Sequence, residues 1–246
     1  MKPESVILKG IKFLRRDNPW PEFGYGEIEP FYLALDGNGT GGREIITNLI
    51  AKCNVEIMVE IGCFLCGSSI RWLKASDKLT LIGVDRWEGN WAAYIEMMAI
   101  DPIRSRSVWH LNEDEIKKIV ANLRKYGNYS IALNNVRLYK DRFIPIRRSA
   151  PEVFEYLRSR DIEPQLVYID ADKKRIDLDE AYKAFPQAIL CGDDWLWPDQ
   201  NGIFVMQEYV KQFALEHGFT VENCKQSWVL VPPNGFSLNE PIQPTS

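Results

Sequence analysis

The chain has 246 residues, 46% of them apolar and 12% aromatic, with 34 Asp and Glu against 30 Lys and Arg for a formal net charge of −4. That apolar content is enough for a packed core and excludes disorder, and the lack of a basic excess speaks against nucleic acid as a partner. No apolar run reaches the ~18 residues that cross a bilayer, the start MKPESVILKGIKFLRRDNPW carries charges where a signal peptide has an apolar stretch, and the five cysteines read as reduced thiols; a cytoplasmic protein away from membranes is expected.

Residues 1 to about 40 include NPWPEFGYGEIEPFYLALDGNGTGG and show neither helical nor strand periodicity, so an N-terminal extension or lid is expected over 1–40, ahead of one domain over 41–246. Ile45, Ile46, Leu49 and Ile50 then share one helical face. From there apolar runs of strand length alternate with helical patterns. The runs are VEIMVEIG at 55–62, LTLIGVD at 79–85, RFIPIRR at 142–148, QLVYIDAD at 165–172 and QAILCGDD at 187–194, with FTVENCK and SWVLVPP near the end. Between them lie SSIRWLKA, PEVFEYLRSR, DLDEAYKAF and FVMQEYVKQFALEHG, the last with Met206, Val210 and Phe213 on one stripe and Gly218 as its stop.

Strand–helix alternation with near-continuous apolar strands implies an α/β fold whose parallel sheet is covered on both faces. The two final strands are too close for a parallel crossover and must pair as a hairpin, so the last strand runs antiparallel. The stretch at about 88–134 is long for a connection and carries its own helix, where Asn112 and Glu115 are placed to form a capping box ahead of Ile116, Ile119, Val120 and Leu123. Insertions of this kind usually cover a site.

The segment from Val59 to Ser69 closes the first strand and opens a helix, with Gly62 and Gly67 in the turn. Glycines there let backbone approach a ligand, and Asp85, at the end of the next strand, is placed to take both hydroxyls of a ribose. The same loop can be a tight turn that binds nothing. Its spacing departs from G-x-G-x-x-G, which leaves less open backbone than a pyrophosphate needs. Cys63 and Cys66 spell C-x-x-C, readable as a redox pair or half a metal site, but no second such pair exists; Cys191 and Cys224 read as core.

Two further strand ends, Tyr168-Ile169-Asp170-Ala171-Asp172-Lys173 and Cys191-Gly192-Asp193-Asp194-Trp195, should converge at the same sheet edge. Carboxylates gathered at one point repel unless something positive sits among them, and oxygen ligands suit a hard ion such as Mg²⁺ or Ca²⁺. Solvated strand-end acids are the plainer reading. Ser149 begins Ser-Ala-Pro-Glu, a capping box for the helix holding Val153, Phe154 and Leu157. Trp87 and Trp195-Leu196-Trp197 border the same edge, as an apolar wall or as core.

The string E-x-G-x-x-x-x-G-S-S after a first strand, with Gly-Val-Asp ending the second, resembles motifs I and II of class I S-adenosylmethionine-dependent methyltransferases, over roughly residues 40–232. D-A-D-K followed by G-D-D-W resembles the metal-dependent O-methyltransferases that act on catechol, caffeoyl-CoA and antibiotic sugars. The resemblance implies a Rossmann-like three-layer sandwich with a seven-stranded, mostly parallel sheet and an antiparallel last strand. It puts Glu60, Gly62, Cys63 and Gly67 at the amino-acid end of S-adenosylmethionine, Ser69 near its carboxylate, Asp85 on the ribose and Ser149 by the adenine. Asp170, Asp193 and Asp194 would hold Mg²⁺ or another divalent cation, with Asp170 also at the cofactor's edge and Lys173 as general base beside it. Cys66 stands where many relatives have glycine.

The expected activity is methyl transfer to a hydroxyl of a small-molecule acceptor, assisted by a divalent cation. The alternatives are a nucleotide-dependent oxidoreductase and a cofactor-binding protein without catalysis. The acceptor and the oligomeric state, a homo-oligomer included, stay open.

Overall fold

The computed structural model describes residues 4–30, 41–100 and 112–236. Strands β1 (Ile57–Ile61), β2 (Thr80–Asp85), β3 (Phe143–Arg147), β4 (Leu166–Ile169), β5 (Ile189–Gly192), β6 (Thr220–Cys224) and β7 (Ser227–Val231) form one sheet in the order β3-β2-β1-β4-β5-β7-β6. The first five are parallel. β7 runs antiparallel to both neighbours, wedged between β5 and β6. The hairpin expected from the short gap after β6 therefore forms, and the last strand in sequence lies one place in from the sheet's edge.

The near-continuous apolar runs are explained by burial on both faces. Val59, Ile61, Ile82, Val84, Ile144, Val167 and Ile169 point into one core with helices α1 (Glu4–Asp17), α7 (Glu152–Ser159), α8 (Arg175–Ala184) and α9 (Val205–His217). Their neighbours Met58, Leu81, Phe143, Leu166 and Tyr168 point into the opposite core with α2 (Glu44–Lys52), α3 (Gly67–Ala75) and α6 (Asn128–Val136). The period-two alternation of a strand thus fills both layers. The result is the Rossmann-like three-layer sandwich that the resemblance implied. α9 stops at Gly218 in the left-handed region, at φ 75°, and its Met206, Val210 and Phe213 are buried as the stripe requires.

Helices α4 (Trp91–Ala99) and α5 (Glu113–Tyr126) belong to the insertion and make a smaller core of their own with Leu65 and Ile131. The Asn112–Glu115 capping box forms, its side chains and amides bonding reciprocally at 2.9 and 2.8 Å. Residues 101–111 of the insertion, and 31–40 of the N-terminal extension expected as a lid, lie outside the described residues.

The N-terminal reading needs correction, because Glu4–Asp17 is a helix. Ile7, Ile11 and Leu14 follow helical spacing, and Leu14 is fully buried in the core of the α7 side. The stripe is hidden in the sequence by Gly10, which stands on the same face because any side chain there would meet the Arg160 carbonyl 2.2 Å away. The Pro- and Gly-rich composition begins only after the helix has ended. Among the described residues no helix is long and apolar enough to cross a membrane.

Candidate functional site

The carboxyl ends of β1, β2, β4 and β5 meet at one edge of the sheet, and the backbone there is bent out of its usual conformations. Phe64, Cys66, Trp87, Lys173 and Asp194 all have left-handed φ, between 47° and 65°. Each such non-glycine residue costs roughly 1–2 kcal/mol. Strain of this sort persists where the surroundings over-determine it, and it collects at ligand sites.

The loop after β1 is shaped from below. Gly62, at φ 89°, passes so close to β4 that a Cβ would lie 1.9 Å from the Asp170 carbonyl oxygen; no other residue fits. Cys66, in the position where the resemblance expects glycine, takes the left-handed conformation that glycine favours, at φ 62°, and buries its thiol completely. The Cys63 thiol also faces inward, toward the carbonyls of Glu60 and Val84 at 3.8 and 3.7 Å. Burial pushes both thiols well above their ordinary pKa, so the C-x-x-C pair has the character of inert core. Only the amide of Cys63 faces the site.

Glu60 and Ser69 correct a second expectation. Neither side chain reaches the crevice: both are fully buried. The Ser69 hydroxyl and the Trp72 indole N–H donate to the two Glu60 oxygens, at 2.5 and 3.0 Å, and burial raises the Glu60 carboxyl despite those donors. Glu60 therefore ties β1 to the first turns of α3 and fixes the loop between them.

Asp85 is where the sequence places it. Its Oδ2 accepts from the Phe64 amide at 2.9 Å and its Oδ1 from the Trp87 amide at 2.7 Å, with the Cys63 amide beside them. A carboxylate has about four lone-pair positions, which leaves room for a further donor. Burial raises the Asp85 carboxyl, opposed by these amides and by Arg86. Trp87 seals the floor, donating from its indole to the Phe64 carbonyl at 3.0 Å and packing on Tyr129. Trp87 and Trp195 are core; Trp197 is half-buried and carries Lys173 over its ring at 5.3 Å.

Beyond β1 the site is ionic. Gly192 of β5 approaches β4 as Gly62 does, with room for no Cβ next to the Ile169 carbonyl 2.3 Å away, and this brings Asp170 and Asp193 together. A guanidinium sits between them. Arg43, the residue just before α2 and 3% exposed, donates from Nη2 to Asp170 Oδ2 at 3.2 Å and to Asp193 Oδ2. Its Nε donates to the Tyr168 hydroxyl at 3.0 Å. The Ser227 hydroxyl adds a contact to Asp193 Oδ1 at 3.4 Å, and the Trp228 indole holds the Asp193 carbonyl at 2.9 Å. Burial and the charge of Asp193 hold the Asp170 carboxyl well above the usual range against the pull of Arg43. Asp194 turns away to Lys173, whose Nζ lies 3.3 Å from its Oδ2.

This donor set does not fit the divalent ion expected from the aspartates. Such an ion needs oxygens arranged around itself, and here the Oδ2 atoms of Asp170 and Asp193 are arranged around a nitrogen. Among the described residues no group of three or more His, Cys, Asp or Glu is disposed to hold a metal. Arg43, Tyr168 and Ser227 escape a reading of the sequence. One signal points to Arg43: a cation at the start of a helix opposes the macrodipole and is expected there only with partners.

Ser149 departs from its expected capping geometry. Its hydroxyl donates to Glu152 Oε2 at 2.9 Å and the helix begins one residue past Pro151, without a side-chain cap. The Ala150–Pro151 peptide bond is cis. Ser149 stays at the end of β3, two residues past Arg147, which pairs in register with Asp85.

No family model and no curated sequence matches the chain. Among solved structures it is similar to a protein described as a caffeoyl-CoA O-methyltransferase from Staphylococcus aureus, at 17% identity over 93% of this chain and 92% of that one, with a TM-score of 0.47. An O-methyltransferase from Bacillus cereus, in complex with SAH, aligns at 13% identity over 94% and 91%, with a TM-score of 0.46. A precorrin-6Y C5,15-methyltransferase from Geobacter metallireducens aligns at 12% identity over 76% and 85%, with a TM-score of 0.44.

Proposed function

We propose that the protein transfers a methyl group from S-adenosylmethionine to a hydroxyl of a small-molecule acceptor. The observation that carries this reading is Asp85: a carboxylate at the end of β2, held by three amides of the loops around it, beside a glycine turn too short for a pyrophosphate. The sheet with its antiparallel strand β7 supports it.

In this reading the bound cofactor supplies an electrophilic methyl on a sulfonium. Asp85 accepts from a ribose hydroxyl, the backbone from Gly62 to Gly67 faces the amino-acid end, and Ser149 stands toward the base. Glu60, Ser69 and the thiol of Cys63 act from beneath by setting the loop. The cofactor would supply the methyl group to the acceptor oxygen, and the strand ends would take up the hydroxyl proton. In this reading Lys173, whose Nζ lies 3.3 Å from Asp194 Oδ2, and the Asp170 carboxylate are the groups beside that proton. Positioning the two reactants in line supplies most of the acceleration. The acceptor is a small molecule rather than nucleic acid or a membrane component, and the cytoplasm is the place for such a reaction.

Calorimetric titration tests the reading. S-adenosylhomocysteine should bind and NADH should not. Asp85→Ala should weaken S-adenosylhomocysteine roughly 100-fold, since hydrogen bonds to a charged group contribute about 1.5–3 kcal/mol each. A wild-type protein that gives no heat with S-adenosylhomocysteine would sink it.

A further inference from the structure

We infer that Arg43 takes the place of a divalent cation, so that the charge at the acceptor end of the site is built into the chain and the reaction is independent of metal. The statement about the reaction rests on the proposed methyl transfer; the statement about the site does not.

Charge and geometry carry this assignment. Asp170, Asp193 and Asp194 gather at the ends of β4 and β5, where they need compensation. Arg43 and Lys173 provide it, one between Asp170 and Asp193 and the other on Asp194. Three carboxylates against two cations leave a single net negative charge. A divalent ion added to this arrangement would reverse the sign and press against the guanidinium within a few ångströms. To enter it would have to displace Arg43, which is 3% exposed and held also by the Tyr168 hydroxyl. The planar fork suits this task better than a lysine would, because Nε meets the Tyr168 hydroxyl while Nη2 meets both carboxylates.

The consequence is twofold. Arg43 is a positioning residue: it aims Asp170 and keeps a fixed positive charge beside the place where the acceptor oxygen sheds its proton. And because no ion has to be chelated, the acceptor does not need two neighbouring oxygens; a single hydroxyl suffices, and vicinal diols should have no advantage over it.

The test uses Mn²⁺ alone as probe, by electron paramagnetic resonance and calorimetry on the full chain. Wild type should bind no stoichiometric Mn²⁺ at millimolar concentration, and EDTA should leave its affinity for S-adenosylhomocysteine unchanged within about twofold. Arg43→Met, which keeps an unbranched stem and removes the guanidinium, should bind one Mn²⁺ per chain and lose it again when Asp193→Asn is added. One tightly bound Mn²⁺ in wild type, abolished by Asp193→Asn, would overturn the inference. So would a folded Arg43→Met variant that takes up no Mn²⁺, for the carboxylates would then form no cation site. If circular dichroism shows that Arg43→Met does not fold, the wild-type pair of measurements decides. Failure of S-adenosylhomocysteine to bind at all would remove the methyltransferase reading and leave the Mn²⁺ result standing.

Discussion

At the ends of β1 and β2 the site is made of backbone, with Asp85 suspended from the amides of the Gly62 loop and of Trp87, whereas at the ends of β4 and β5 it is made of charged side chains held by Arg43 and Lys173. The first half closes over a sequence separation of 21 residues, from Phe64 to Asp85. The second closes over sequence separations of 127 and 150 residues. A backbone-built half should tolerate changes of side chain and fail on changes of conformation. A charge-built half should do the reverse.

The largest effect should come from conformation. Gly62→Ala puts a Cβ onto the Asp170 carbonyl at φ 89°, and it should destabilise the protein by roughly 3–5 kcal/mol in urea titration, in the range of the most disruptive single changes. A loss below about 1 kcal/mol would show that β1 and β4 can part, and that the loop is not set by their contact. In the charged half, Tyr168→Phe takes from the Nε of Arg43 the hydroxyl it donates to in a buried place. It should cost about 1–3 kcal/mol of stability, with less effect on binding of S-adenosylhomocysteine than Asp85→Ala.

The pH dependence sharpens the contrast further. Asp177, buried in the first turn of α8, has its carboxyl raised by burial from 3.8 to about 6. The folded chain therefore holds this proton more tightly than the unfolded one. Its contribution is fully present below pH 3.8, is lost as pH rises through about 6, and is absent above. The full span corresponds to roughly 3 kcal/mol. Asp177→Asn should flatten the fall in stability across this window; an unchanged slope would show that Asp177 is not its source. The smallest effect belongs to Cys66→Gly. Relief of a left-handed residue offsets the loss of a small buried side chain, so stability should move by about 1 kcal/mol or less, and a larger loss would mean that the thiol, not the turn, shapes the loop.

The same division governs what the sequence discloses. Strands, hairpin, capping box and the Gly62–Asp85 pair are written in short stretches, where periodicity and turn residues act locally. Glu60 is visible as a residue but not as an inward one, because its partners Ser69 and Trp72 lie on a helix face that only packing orients toward it. Arg43 is illegible for a related reason: nothing within ten residues of it is acidic except Asp36 and Glu44, and its partners are brought to it by the sheet. Helix α1 is obscured because the glycine on its buried face interrupts the apolar stripe.

The hairpin of β6 and β7 has a bearing on when the site comes into being. The carbonyl of Gly41 accepts from the Ser227 hydroxyl and the Gln226 amide, at 3.1 and 3.2 Å, next to the arginine that the site depends on. As the chain leaves the ribosome, β1 to β5 can pair while Gly41 waits for a strand that is synthesised long after it. Until β7 lies beside β5, Gly41 lacks the donors of Gln226 and Ser227, and Asp193 lacks the Ser227 hydroxyl and the Trp228 indole. The support around Arg43 and Asp193 is thus completed last, and every chain that carries it has been read through to β7.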